Sequence, residues 1–225
     1  VTALAAVTSK IRFLVAVRPG FIATGLFAKM AATLDQISGG RLDINVVPGG
    51  IQGDLERLGE HSDHEHRYAR AEEFIAACRK LWEAPEPVVF EGEHIRLNGA
   101  VCSPGPVGAG PRFYLGGASD SALNLAGGQS DVYLAWIGLR EQIADLLDRT
   151  RAKFNDAGRP SEFGLRTHLV VRDTEAEAWD AAGELLSQAH STVKEQREAA
   201  VTGSPMVGAR LQARKVEDHR LGPNL

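Results

Sequence analysis

Apolar runs of strand length alternate with amphipathic stretches along most of this chain. Residues 11–17 (IRFLVAV), 41–47 (RLDINVV), 112–117 (RFYLGG), 131–138 (DVYLAWIG) and 163–174 (FGLRTHLVVRDT) carry the apolar, β-branched content of buried strands. Between them lie helical patterns. In 24–38, Leu26, Met30, Leu34 and Ile37 recur at helical spacing, and Gly39 and Gly40 stop the helix. Residues 64–83 place Tyr68, Phe74, Ile75, Cys78 and Leu81 on one side. Shorter or more polar helices are predicted at 121–128, 140–158 and 174–190, the last with Thr174 as N-cap. Residues 88–97 alternate about Glu91 and Gly92, a hairpin signal, and a polar loop runs from Pro48 to about Asp63.

Strand followed by helix, five times over, predicts a parallel sheet covered by helices. Either a doubly wound sheet or a (β/α) barrel has that order. Neither G-x-G-x-x-G nor G-x-x-x-x-G-K-[ST] occurs, which weighs against a nucleotide-binding Rossmann or P-loop domain. The expected organisation is one domain over 1–225, with a hairpin-and-loop insertion at 84–111 and a weakly patterned tail at 191–225.

Composition narrows the partners. The net charge is −4 and no long basic run exists, so nucleic acid and anionic membranes are not expected partners. No stretch of about 18 apolar residues occurs. Cys78 and Cys102 are the two cysteines, which suits a reducing compartment, and cytoplasm is the default expectation. The first residues, VTALAAVTSKIRF, lack an initiator Met and do not read as a signal peptide; the chain is expected to enter partway through an element.

The stretch 163–174 poses the sharpest question. Arg166 and His168 sit two apart in an otherwise apolar strand, so their side chains share a face. Burying a cation and an imidazole is costly without an anion. The guanidinium fork suits sulfonate, phosphate or carboxylate, and His168 adds a donor or a mobile proton. In a barrel such residues face the mouth at the C-terminal strand ends. GGASD (116–120) follows a strand and opens a helix. The backbone N–H groups of Gly117, Ala118 and Ser119 would lie at its N-terminus, an anion seat or an ordinary turn capped by Ser119. Asn45 interrupts an apolar strand, and Trp136 ends one where it could stack on a planar ring. His64 and His66 stand near Asp63 and Glu65, yet His-x-His on a helix sends the rings to different faces, so capping and solvated charge are expected rather than a metal.

Several of these segments resemble one family. IRFLVAVRPG, AKMAATLDQISGGRLDINVVPGG, DHEHRYARAEEFI, FYLGGASD, DVYLAW and FGLRTHLVVRDTEAEAW are similar, in order, to the two-component FMN-dependent alkanesulfonate monooxygenases of the luciferase-like superfamily. The resemblance runs from about residue 8 to 190. It implies a (β/α)8 TIM barrel of which about five of eight units are present; the first two strands, with the family's active-site Cys, and the last strand have no counterpart. It also implies reduced FMN supplied by a separate NAD(P)H-dependent flavin reductase. Oxygen and a small organosulfonate would react to give an aldehyde and sulfite, in a homo-oligomer, a dimer or tetramer. By residue, Arg166 and His168 match the active-site Arg-x-His, and Gly117, Ala118 and Ser119 match the turn near the FMN phosphate. Tyr68 matches a Tyr beside that phosphate, and Asn45 and Trp136 match the flavin and substrate cavity. Val47-Pro48-Gly49-Gly50 stands where the family usually reads Val-Thr-Gly-Gly, and Ala118 replaces a Ser. The alternatives are another luciferase-like oxidoreductase, including one using deazaflavin, and a non-catalytic flavin-binding relative.

Overall fold

The computed structural model describes residues 1–188. Its elements in chain order are α1 (Thr2–Val7), β1 (Phe13–Val17), α2 (Thr24–Ser38), β2 (Leu42–Val46), α3 (Gln52–Arg57), α4 (His64–Glu83), β3 (Val88–Glu91), β4 (Arg96–Ala100), β5 (Arg112–Leu115), α5 (Asp120–Gln129), β6 (Val132–Trp136), α6 (Arg140–Asp156), β7 (Phe163–Arg166) and α7 (Glu175–Gln188). The tail expected at 191–225 lies outside the described residues.

One parallel sheet runs β1-β2-β5-β6-β7, and β3 pairs with β4 as a separate antiparallel hairpin. The order decides between the two architectures. A doubly wound sheet reverses direction at a switch point, whereas here every successive strand adds to the same edge, as in a barrel wall. The chain therefore has a mixed α/β fold whose five-stranded parallel sheet is a segment of a TIM barrel.

Each strand's alternation fits that wall. Leu42, Ile44 and Val46 of β2, Phe113 and Leu115 of β5, and Tyr133 and Ala135 of β6 are buried in one core against the helices. That core includes Ala28 and Ala31 of α2, Phe74, Ile75 and Cys78 of α4, and Phe154 of α6. Asp43, Asn45, Tyr114, Leu134 and Trp136 project from the opposite face. Helices α5 and α6 pack very closely. A Cβ placed on Gly127 would lie 2.6 Å from the backbone carbonyl of Lys153.

The sequence pattern needs correcting at four places. The polar loop after Pro48 contains the short helix α3. The hairpin turns over Gly92–Ile95, with Gly92 N–H donating to Ile95 O; the carboxylate of Glu73 accepts from the N–H groups of Glu93, His94 and Ile95. In α2 the core face is made of Ala28, Ala31, Ala32 and Asp35, so Leu26, Met30 and Ile37 are turned outward. The fourth concerns 163–174, which is not a buried strand throughout. β7 ends at Arg166, and Leu169 and Val171 are 81 % and 75 % exposed. β7 pairs with β6 on one side and with no described strand on the other. Apolar content alone does not bury a segment that has no neighbour to cover it. Thr174 does cap α7, through a reciprocal pair in which Glu177 N–H donates to Thr174 Oγ1 and Thr174 N–H donates to Glu177 Oε2.

Candidate functional site

The C-terminal ends of parallel strands gather the loops of a barrel's active face. Here β5 ends at Leu115 and breaks into Gly116-Gly117-Ala118-Ser119, from which α5 starts. Both glycines are required by close approach. A Cβ at 116 would sit 2.7 Å from Leu134 O. Gly117 has φ +132°, and a Cβ there would reach 2.8 Å from the Ala122 methyl and 3.2 Å from the Tyr68 hydroxyl. Ser119 caps α5, its Oγ accepting from Ala122 N–H at 3.3 Å.

Helix α4 brings a second set of groups to this turn. Asp63 caps it by accepting from His66 N–H at 2.8 Å. One turn in, Tyr68 is buried, its hydroxyl beside Gly117; burial holds its phenol above the usual range, partly offset by the Ser119 side chain and by Arg67. The His64 ring packs on Tyr68 at 4.6 Å between centroids, and its Nε2 lies 3.4 Å from Ser119 Oγ. Its Nδ1 meets Glu65 Oε1 at 2.8 Å, and Glu65 also accepts from Ser121. Those two hydrogen bonds hold the Glu65 carboxyl below its ordinary value, Ser121 having the larger effect. Arg67, buried in the same helix, donates to Pro48 O, to Gln52 Oε1 and to Ser62 O. It ties the loop after β2 to α4.

Sequence reasoning missed three of these residues. His64 was assigned to capping, yet its ring turns to Ser119 and Tyr68 while His66 meets His94 instead, at 4.4 Å between centroids. The i, i+4 spacing of His64 and Tyr68 was the available signal, since it puts both on one helix face. Tyr133, inside the apolar run 131–138, donates from its hydroxyl to Gly117 O at 2.6 Å and fixes the turn. Burial raises its pKa to about 12. Arg67 had no distinguishing signal.

Across the sheet, Trp136 pairs in register with Arg166, so both stand on the face away from the helices. The guanidinium of the exposed Arg166 lies over the Trp136 ring, 4.1 Å from its centroid. Asn45 shares that face of the sheet, on β2. His168 lies beyond the end of β7, so strand alternation no longer relates it to Arg166, and its side chain is exposed. Ala118 is buried within the turn. The structure thus brings Tyr68, Gly117, Ala118 and Ser119 together and sets Trp136 against Arg166; it does not draw in His168.

A cleft of about 370 Å³ lies at the other end of the strands, lined by Arg79, Arg112, Asp131, Arg159 and Glu162 among others. Its charges are engaged with one another, Arg79 with Asp131 and Arg112 with Glu162. Stability, rather than chemistry, is the usual role of that end of a barrel. No helix among the described residues is long and apolar enough to cross a membrane.

A parallel sheet of barrel order, with a glycine turn and a capped helix at its C-terminal edge, defines a segment of a TIM barrel. The sequence profile of the luciferase-like monooxygenases matches residues 1–220, and the chain belongs to that family. The fold is similar to a riboflavin lyase solved with modified FMN and its substrate riboflavin, with TM-score 0.80, 22 % identity, and coverage of 88 % of this chain and 50 % of that one. A long-chain alkane monooxygenase gives TM-score 0.82 at 19 % identity, over 99 % of this chain and 60 % of that one. An F420-dependent secondary alcohol dehydrogenase gives 0.70 at 19 %, over 97 % and 66 %. The chain therefore spans 50 to 60 % of the length of the first two.

Proposed function

We propose that this chain forms part of a monooxygenase that uses reduced FMN and O2 to cleave the C–S bond of a small organosulfonate. The products are an aldehyde and sulfite, and a separate NAD(P)H-dependent reductase delivers the flavin. One observation carries the reading: the hydroxyls of Tyr68 and Ser119 and the imidazole of His64 converge on the Gly117–Ser119 turn at the start of a ten-residue helix. Hydroxyls, ring N–H and backbone N–H at a helix N-terminus are the donor set of a phosphate monoester site. The space beside the Tyr68 hydroxyl is one that a Cβ at 117 would close. FMN fits these residues, and when bound it would supply the electrons for oxygen activation.

The remaining roles belong to this chain's side chains. Asn45 offers an amide to the hydrogen-bonding edge of a planar ring. Arg166 holds a sulfonate oxygen through its fork, pre-oriented by Trp136. His168, carried on the segment after β7, is assigned as a second donor to that anion.

Ser119→Asp tests the phosphate seat, because Asp caps a helix as well as Ser does and leaves α5 intact. Its FMN affinity, followed by fluorescence quenching, should fall by about tenfold or more, while riboflavin, which lacks the phosphate, binds unchanged. Unaltered FMN affinity would remove the turn from the site. Sulfite release with a saturating reductase supply tests the chemistry; near-normal turnover by Arg166→Ala would overturn the organosulfonate assignment.

A further inference from the structure

We infer that the cleft at the N-terminal ends of β5, β6 and β7 is a second anion site, one that takes a phosphate or sulfate group. It lies at the opposite end of the strands from the glycine turn, and Arg79, Arg112, Asp131, Arg159, Ser161 and Glu162 line it.

The charges of this cleft do not cancel. Arg112 and Glu162 form one pair at its more exposed side. Arg79 and Arg159 share a single carboxylate, Asp131, and all three side chains are mostly buried. Arg79 Nη2 takes both carboxylate oxygens at 2.9 Å, and Phe113 N–H donates to Oδ2 at 2.7 Å. Arg159 Nη2 is left 3.7 Å from Oδ1, beyond hydrogen-bond distance. Among the described residues Arg159 donates one hydrogen bond, from Nη1 to Gly127 O at 3.0 Å. Burial pulls its guanidinium below the ordinary value; Asp131 offsets part of that, and Arg79 adds to it. Two mostly buried cations facing one carboxylate leave a positive charge without an anion, an arrangement that burial penalises.

Donors for a further anion are already in place. Nε and Nη1 of Arg79, Nε and Nη2 of Arg159 and the Ser161 hydroxyl donate no hydrogen bond within the described residues. Both guanidiniums approach Asp131 Oδ1, at 2.9 and 3.7 Å, so one oxyanion can bridge them. A planar fork engages two oxygens of the same group. Two forks and a hydroxyl therefore match the four oxygens of a tetrahedral phosphate or sulfate better than the two of a carboxylate. The cleft, at about 370 Å³, is larger than such a group, so the free ion and the phosphate of a small ester both fit.

Equilibrium titration of the full 225-residue chain with sodium phosphate, sodium sulfate and glycerol 3-phosphate, against sodium chloride at equal ionic strength, tests this. Trp82 reports on the cleft, since a Cβ on its lining residue Gly110 would lie 3.3 Å from the indole ring. Phosphate and sulfate should give a saturable fluorescence change that chloride does not. Equal affinity for phosphate and glycerol 3-phosphate would identify the free ion as the ligand, and about tenfold tighter binding of the ester would identify the ester. Arg159→Lys keeps the charge but loses the fork, and should weaken binding about tenfold. Arg159→Gln should abolish the saturable response with an unchanged circular dichroism spectrum. Ser119→Asp, at the other end of the strands, should leave it intact. Absence of a saturable response in the unaltered chain would overturn the inference. So would a response that both Arg159 variants keep at full affinity, or one that Ser119→Asp removes, since the anion would then occupy another surface or the glycine turn.

Discussion

Two adjacent glycines in α5 should respond to the same substitution with opposite sign. Gly127 and Gly128 both sit in the helix, where alanine is favoured over glycine by about 1 kcal/mol. Around Gly128 nothing lies within 4 Å of an added Cβ, and the residue is exposed, so Gly128→Ala should gain most of that preference. At Gly127 the Cβ would lie 2.6 Å from both the carbonyl carbon and the carbonyl oxygen of Lys153. These are backbone atoms of α6, held by their own helix, and cannot rotate aside. Relief requires the two helices to separate by several tenths of an ångström along their packed length, and overpacking of that kind costs about 1–3 kcal/mol or more. Net of the helix preference, Gly127→Ala should destabilise by about 1–2 kcal/mol. For a chain of this size, about 2–4 °C of Tm accompanies each kcal/mol. Thermal unfolding followed by circular dichroism should show Gly127→Ala melting about 2–8 °C lower and Gly128→Ala about 1–4 °C higher. Equal shifts, or a stabilised Gly127→Ala, would refute the argument that helix contact at 127 outweighs propensity.

Other expectations follow from the same structure. Glu60 is buried, which pushes its carboxyl up, but hydrogen bonds with Ser62 and the guanidinium of Arg70 outweigh burial and hold it at about 2 against an ordinary 4.5. A depressed carboxyl stabilises the fold above its unfolded value and loses that contribution as pH falls. Stability should therefore drop by roughly 3 kcal/mol between about pH 4.5 and 2. Glu60→Gln should flatten that portion of the denaturation-midpoint profile, and an unchanged profile would count against the Arg70 pairing. Tyr133→Phe deletes the hydroxyl that fixes Gly117 and should cost about 1 kcal/mol of stability. It should also weaken FMN more than riboflavin in equilibrium titration; equal loss for both would separate Tyr133 from the phosphate seat. Arg166→Lys keeps the charge but loses the planar fork on Trp136, so sulfite turnover should fall about tenfold or more. Full activity would show that the fork is not used.

The local elements were legible because period and punctuation were strong. α2 and α4 lie where helical spacing, Gly39 and the Asp63 cap put them, and five strands sit in five apolar runs. Those signals come from interactions within a few residues, which the chain order carries directly. Candidate residues Tyr68, Gly117, Ala118 and Ser119 were reached from the turn and from family resemblance, and they do meet. Tertiary structure decided everything that depends on who lies beside whom. Nothing local distinguishes the outward Leu26, Met30 and Ile37 from core residues, because small alanines fill the tight space under α2 instead. His64 and Tyr133 join the glycine turn only because α4 and β6 are packed on either side of it. The apolar run after Arg166 reads as buried, yet burial needs a neighbouring strand, and among the described residues β7 has one on a single side. Hydrophobic pattern states which residues tend to be covered; only packing supplies the cover.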